Sequence, residues 1–124
     1  MHTLENKALA RRLFDEGWNG DLDILDQILS DGFLVHFATS SGEVLGIAGA
    51  RETVADYHAA LPGFHCRVDE LIAEGDRVAA RITYTSRSRA LGKIVILRMA
   101  NGRIVEAWED YDPLPILVGQ GTHM

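Results

Sequence analysis

The chain has 124 residues, the size of one domain and too short for two comfortable cores. Hydrophobic residues make up 47% and charged residues 24%, enough to bury a core, and no apolar run nears the ~18 residues of a membrane span. The net charge of −6 carries no basic stripe, which argues against a nucleic-acid partner, and the lone Cys66 excludes an internal disulfide or a cysteine metal cluster.

The N-terminus, Met1 to Lys7, shows no charged-then-apolar signal pattern, so a reducing, cytoplasmic setting is expected. Thr3 is a good helix N-cap, and Glu5 sits in the first turn, where the helix dipole favours negative charge. Leu9, Leu13, Phe14 and Trp18 recur at helical spacing until Asn19-Gly20, both tolerant of the left-handed conformation, stops the helix. Asp21 can cap a second helix with the apolar stripe Leu22, Leu25, Ile28 and Leu29, ended by Ser30-Asp31-Gly32. Phe33 to Phe37 reads as a short strand, followed by a Ser/Gly-rich loop through Ala38 to Gly42. A third helix is predicted over Ala50 to Leu61, with Val54, Tyr57, His58 and Leu61 on one face, broken by Pro62-Gly63.

From Phe64 the period changes to two. Phe64, Cys66, Val68 and Ile72 alternate with polar partners, and Glu74-Gly75-Asp76 is a turn. Arg77 to Ala90 reads as a long strand turning near Leu91-Gly92, and Lys93 to Ala100 as another. Asn101-Gly102 is a strong hairpin signal, because a type I′ turn wants positive φ at both positions. Arg103 to Asp112 is the last strand, ended by Pro113 and Pro115. Helices first and a meander afterwards predict one α+β domain over residues 1–124, with helices on one face of the sheet. The strand Ile94-Val95-Ile96-Leu97 is apolar on both faces, so a second subunit is expected to cover its outer side in a homodimer.

Five stretches carry a family resemblance. They are Glu5-Asn6-Lys7-Ala8-Leu9 running to Gly17-Trp18-Asn19-Gly20-Asp21-Leu22-Asp23; Asp31-Gly32-Phe33-Leu34-Val35-His36; Gly49-Ala50-Arg51-Glu52 running to Ala60-Leu61-Pro62; Leu71-Ile72-Ala73-Glu74-Gly75-Asp76-Arg77-Val78; and Asn101-Gly102-Arg103-Ile104-Val105-Glu106-Ala107-Trp108. In this order they resemble the SnoaL-like family of the nuclear transport factor 2-like superfamily. The resemblance implies a cone: a strongly bent antiparallel sheet wrapped around N-terminal helices, with one internal pocket. It also implies cofactor-free cyclase- or isomerase-type acid–base chemistry on a hydrophobic, carbonyl-bearing small molecule such as a polyketide. Limonene-type epoxide hydrolases and non-catalytic binding modules share the superfamily, and fold alone does not choose among them. The hairpin between Tyr84 and Ile94 is shorter than in many relatives, where a longer excursion helps close the pocket.

The last strand holds the candidate acids. Alternation puts Glu106, Trp108, Asp110 and Asp112 on one face and Ala107, Glu109 and Tyr111 on the other. Trp108-Glu109-Asp110-Tyr111 is similar to the Trp-x-Asp-Tyr segment of limonene-type epoxide hydrolases, which implies Asp110 as the catalytic acid; by spacing, Asp112 is the other candidate. A carboxyl in an apolar pocket rises in pKa and can exchange protons near neutral pH. The competing reading is a solvated strand end with Asp110 paired to Lys93.

Arg81 stands where those hydrolases have Arg-x-Asp, with Thr83 in place of the second acid, and Asp110 is its preferred partner. Hairpin parity leaves open which face Arg81 occupies: two-residue turns at both ends put Ile82, Tyr84 and Ser86 with Asp110, whereas one bulge or a three-residue turn puts Arg81, Thr83 and Thr85 there. The resemblance favours the second. His36, on a pocket-forming strand, is a candidate to polarise a carbonyl or relay a proton. Phe14, Trp18, Tyr57, His58, Tyr84 and Trp108 are candidate substrate-binding residues, the tyrosines through their hydroxyls. The histidines lack metal-ligand spacing, so neither a metal nor an organic cofactor is expected.

Overall fold

The computed structural model describes residues 2–37, 43–87 and 89–112, except for the side chains of Glu43, Val44 and Asp112. The first helical pattern folds as two pieces: α1 (Thr3–Arg11), then a π-helical segment (Arg12–Gly17) in which the Trp18 N–H reaches back five residues to the Leu13 carbonyl at 2.8 Å. His2, not Thr3, precedes the first turn, and its side chain does not cap it. Next comes α2 (Leu22–Ile28), then β1 (Leu29–Phe37). Leu29 continues the helical stripe in sequence but is extended and fully buried, paired with Ile104 of the last strand. That burial ends the helix before the Ser-Asp-Gly signal.

After the two-residue β2 (Glu43–Val44), α3 runs from Gly46 to Ala60, one turn earlier than predicted. The rest is a meander: β3 (His65–Glu74), β4 (Arg77–Thr85), β5 (Ala90–Ala100) and β6 (Arg103–Asp112). The reversal between β4 and β5 comes after Thr85 and before Ala90, and the Ser86 N–H bonds the Arg89 carbonyl there. Leu91 and Gly92, predicted to turn, instead pair with Tyr84 and Thr83 inside the sheet. Asn101 and Gly102 have φ of 55° and 73°, the left-handed pair that a type I′ hairpin requires. The predicted loop at residues 38–42 and the stops at Pro113 and Pro115 lie outside the described residues.

The strand order is β2-β1-β6-β5-β4-β3 in a curled, unclosed sheet. The expected α+β cone stands, with one pairing of a different kind: β1 runs parallel to β6, so the sheet is mixed. Among the described residues, helices cover one face of the sheet only. There Leu13, Phe14, Leu25, Ile28 and Val54 pack on Val78, Ile82, Val95, Leu97 and Ile104, all buried. Among the described residues, no helix is long and apolar enough to cross a membrane.

Candidate functional site inside the cone

One extra residue decides which side chains of β6 face the helices. Ala100 pairs with Arg103 and Met99 with Ile104, but Arg98 pairs with Glu106, leaving Val105 as a bulge. Beyond it the parity inverts. Glu109 pairs with Val95 and points inward; Asp110 pairs with Ile94 and points outward. The predicted acid is therefore exposed on the outer face, its carboxylate accepting the Tyr111 backbone N–H at 2.7 Å. Asp112 closes β6 opposite Gly92, and its side chain lies outside the described residues.

The inward face gathers a polar group at the end of the cone where β4 ends and β5 begins. Lys93 Nζ donates to Glu109 Oε1 at 2.5 Å, with side chains only 7% and 11% exposed. The ammonium sits 5.2 Å from the Tyr84 ring centroid, within cation–π range. The Trp18 indole N–H donates to the Tyr84 hydroxyl oxygen. Tyr57, Phe64 and Tyr84 pack ring against ring around this group, at centroid separations of 5.1–5.3 Å. Leu13, Phe14, Trp18, Tyr84 and Glu109 border an interior void of about 10 Å³, room for one water. A larger ligand enters only by displacing side chains.

The electrostatics follow from that burial. Desolvation alone lowers the Lys93 pKa, but the charge and hydrogen bond of Glu109, with smaller help from Tyr57 and Tyr111, hold it above its ordinary value. Lys93 is therefore a cation and a donor, not an amine nucleophile. Burial pushes the Tyr84 phenol well above its ordinary value, so it stays protonated. Cys66, buried in the same core, is pushed up to about 12, chiefly by desolvation.

The remaining predicted residues divide between the faces. Phe14, Trp18 and Tyr84 are buried in the core, and Tyr57 is partly buried against it. His58 is exposed on α3 and ties that helix to the Trp18 backbone carbonyl through Nε2 at 2.9 Å. Arg81 does share a face with Asp110, but it is the outer face. Ile94 stands between them, and the partner of Arg81 is Glu70 at 3.5 Å. Thr83 donates instead to Asp69 at 2.5 Å. His36 and Trp108 are also outside. Their rings stack at 5.2 Å, Arg77 covers the indole at 4.8 Å, and His36 Nε2 meets Glu106 at 2.5 Å. His36 and Arg98 together hold the Glu106 carboxyl below the usual range, the His36 hydrogen bond most strongly. His36, Trp108 and Asp110 do converge, with Phe37, Ile94 and Ile96, around a shallow apolar depression of about 250 Å³.

Sequence reasoning missed Lys93 and Glu109 as site residues. The available signal was a lysine on an otherwise apolar strand, diagonal to an acid across a hairpin; a one-residue error in register hid it. Among the described residues, no group of three His, Cys, Asp or Glu side chains is placed to hold a metal ion.

The sequence and fold match a known family. The model of the SnoaL-like polyketide cyclases matches residues 8–118, and the chain belongs to that family. Among solved structures, a protein from Jannaschia sp. CCS1 described as a SnoaL-like polyketide cyclase superposes with a TM-score of 0.78 at 22% identity, over 94% of this chain and 91% of that one. One from Kribbella flavida described as a ketosteroid isomerase gives 0.77 at 24% identity, over 90% and 80%. An M. tuberculosis LEH-like epoxide hydrolase gives 0.74 at 17% identity, over 96% and 91%. At these identities the likeness is one of fold. A search among curated proteins finds no match.

Proposed function

We propose that the chain is an acid–base enzyme of the cyclase or isomerase type, acting inside the cone on a hydrophobic, carbonyl-bearing small molecule such as a polyketide. The carrying observation is the Lys93–Glu109 pair in an otherwise apolar interior. Burying two charges costs more than packing two aliphatic side chains there, so stability does not explain the pair. Among the described residues, the second oxygen of Glu109 has no protein donor and is free to take a proton. Glu109 removes a proton from the carbon next to the carbonyl, and the developing enolate oxygen is held by the Lys93 ammonium and the Tyr84 O–H. In an isomerisation the Glu109 proton returns to another carbon. In a cyclisation the enolate carbon attacks a second carbonyl, whose oxygen is then protonated. Neither route calls for a cofactor.

The alternative is epoxide hydrolysis, favoured by the water-sized void beside Glu109, which fits a carboxylate activating one water. The test is turnover of a panel of polyketide-like ketones and of epoxides. Glu109→Gln should lower the active reaction about a hundredfold or more, in line with loss of a general base. Ligand binding without turnover in the wild type would make the chain a binding module instead.

A second copy is proposed to cover the outer face. His36, Trp108, Ile96, Ala79 and Ile72 form one row across the sheet, with Ile96 and Ile72 37% and 61% exposed. The flanking rows, Glu70-Arg81-Ile94-Asp110 and Glu74-Arg77-Arg98-Glu106, carry both signs of charge. A two-fold contact can then set acid against base in both directions.

A further inference from the structure

We propose that Trp18 is a positioning residue that fixes Tyr84 as a hydrogen-bond donor, making the interior selective for ligands that present a bare acceptor oxygen to it, such as a ketone, enolate or phenolate, over ligands that present a hydroxyl. The inference rests on the reading of the cone interior as the substrate site.

A phenol both donates and accepts. At Tyr84 the accepting side is taken by the Trp18 indole N–H, which can only donate. Among the described residues, the Tyr84 O–H itself has no acceptor, and Tyr84 is 4% exposed beside the interior void. A buried donor without a partner is costly, and a ligand oxygen that supplies one is favoured accordingly. A ligand hydroxyl offering its proton to Tyr84 meets an oxygen already engaged. It must turn away or displace the indole. The pair is strictly oriented, in contrast to an isolated tyrosine, whose hydroxyl rotates to suit either kind of ligand.

The backbone gives the indole this aim. Trp18 follows the π-helical segment, and an inserted residue turns everything after it by roughly 100° relative to an uninterrupted α-helix. Its N–H is held by the Leu13 carbonyl and its own carbonyl by His58. The adjacent Asn19 clamps the segment to β3, accepting the Cys66 N–H at 2.7 Å and donating to the Cys66 carbonyl at 3.0 Å. Trp18 is thus restrained on both sides of its Cα before the side chain makes any contact.

The probe is 4-nitrophenol, whose ionisation state when bound is read from its absorbance. Wild-type protein should prefer the phenolate over the neutral phenol. Trp18→Phe should reduce that preference roughly three- to tenfold, the range for one hydrogen bond. Tyr84→Phe should reduce it at least as much, and Trp18→Phe added to Tyr84→Phe should have no further effect. An unchanged preference in Trp18→Phe, or an equal loss in both backgrounds, would overturn the inference while leaving the interior site standing. No binding of the probe to wild-type protein would overturn the site reading and the inference together. If Trp18→Phe fails to fold, wild-type protein still decides. The chain has two tryptophans, hence two indole N–H resonances. That of Trp18 should keep its hydrogen-bonded shift when 4-nitrophenol binds and lose it in Tyr84→Phe. Loss on probe binding would mean that the ligand replaces the indole, contrary to the proposal.

Discussion

Replacing Glu109 by Gln tests the physical basis of the interior site without any substrate. The change keeps the shape of the side chain and removes its charge, leaving the Lys93 ammonium buried and unpaired. Breaking a buried pair from one side costs about 3–5 kcal/mol. Proton release sets a ceiling: at pH 7, deprotonating an amine whose ordinary value is 10.5 costs about 5 kcal/mol, and the protein takes that route before paying more. The amide oxygen of Gln can still accept from Lys93, so the expected loss is about 2–5 kcal/mol, or roughly 8–20 °C in Tm for a domain of this size. Urea unfolding at pH 7 and thermal melting measure it. The pH dependence has a definite sign. Lys93 has a folded pKa above its unfolded value, so its contribution in the wild type is complete below about 10.5 and is lost as pH rises through the folded value. In Glu109→Gln the lysine loses the partner that outweighed burial, and its pKa falls. Alkali then relieves the variant, and the gap to wild type narrows between about pH 8 and 10.5. Lys93→Met combined with Glu109→Leu should return to within about 1 kcal/mol of wild type or exceed it. A Glu109→Gln cost under about 1 kcal/mol, or a gap that widens with pH, would refute the reasoning.

Three further outcomes follow from which face each group occupies. Asp110→Asn should leave turnover within about twofold of wild type, because its exposed carboxylate points away from the helices; a hundredfold loss would return that acid to the mechanism. Cys66, with its thiol pushed up to about 12, should react with a disulfide reagent at pH 8 only as fast as the protein unfolds, and at once in denaturant. Rapid reaction of folded protein would contradict its burial. Ile96→Glu puts a charge in the middle of the outer apolar row; sedimentation should report a dimer for wild type and a monomer for the variant, and a monomeric wild type at high concentration would end the dimer proposal.

Much of the fold was legible because its signals are local. The change of period at Phe64, the Asn101-Gly102 turn and the break at Pro62-Gly63 each act within a few residues of chain. The errors fall where a distant contact outweighs local preference. Leu29 reads as the end of a helical stripe but is drawn into an extended strand by pairing with Ile104, which lies far along the chain. Leu91-Gly92 looks like a turn, yet both residues complete the ladder with β4, and the reversal comes earlier, before Ala90. The parallel β1–β6 pair has no local signature at all, since it joins the first strand to the last across α3 and the meander.

The site was less legible than the fold, and for a single reason. Helical spacing put Phe14, Trp18 and Tyr57 toward the core, where they lie, but strand parity left the face of Tyr84 open, and the favoured parity, with Arg81 and Thr83 on the Asp110 face, is not the one that brings Tyr84 inside. The acid was not legible, because β6 carries carboxylates at 109 and 110 on opposite faces, and alternation chooses between them only if the register is counted from a known anchor. The Asn101-Gly102 turn supplied that anchor. Counting from it without interruption places Asp110 beside Lys93, Val95 and Leu97. The bulge at Val105 adds one residue and exchanges the two acids, so Glu109 meets Lys93 instead. The same bulge carries His36, through its pairing with Trp108, to the outer face. Bulges form where strand curvature demands them, a property of the curled sheet and not of the residues flanking Val105. A deletion of Val105 should therefore remove the bulge without exchanging the acids. If the hairpin kept its turn, Glu106 would still pair with Arg98 and Glu109 with Val95, so Glu109 would stay inside with Lys93 and Asp110 outside.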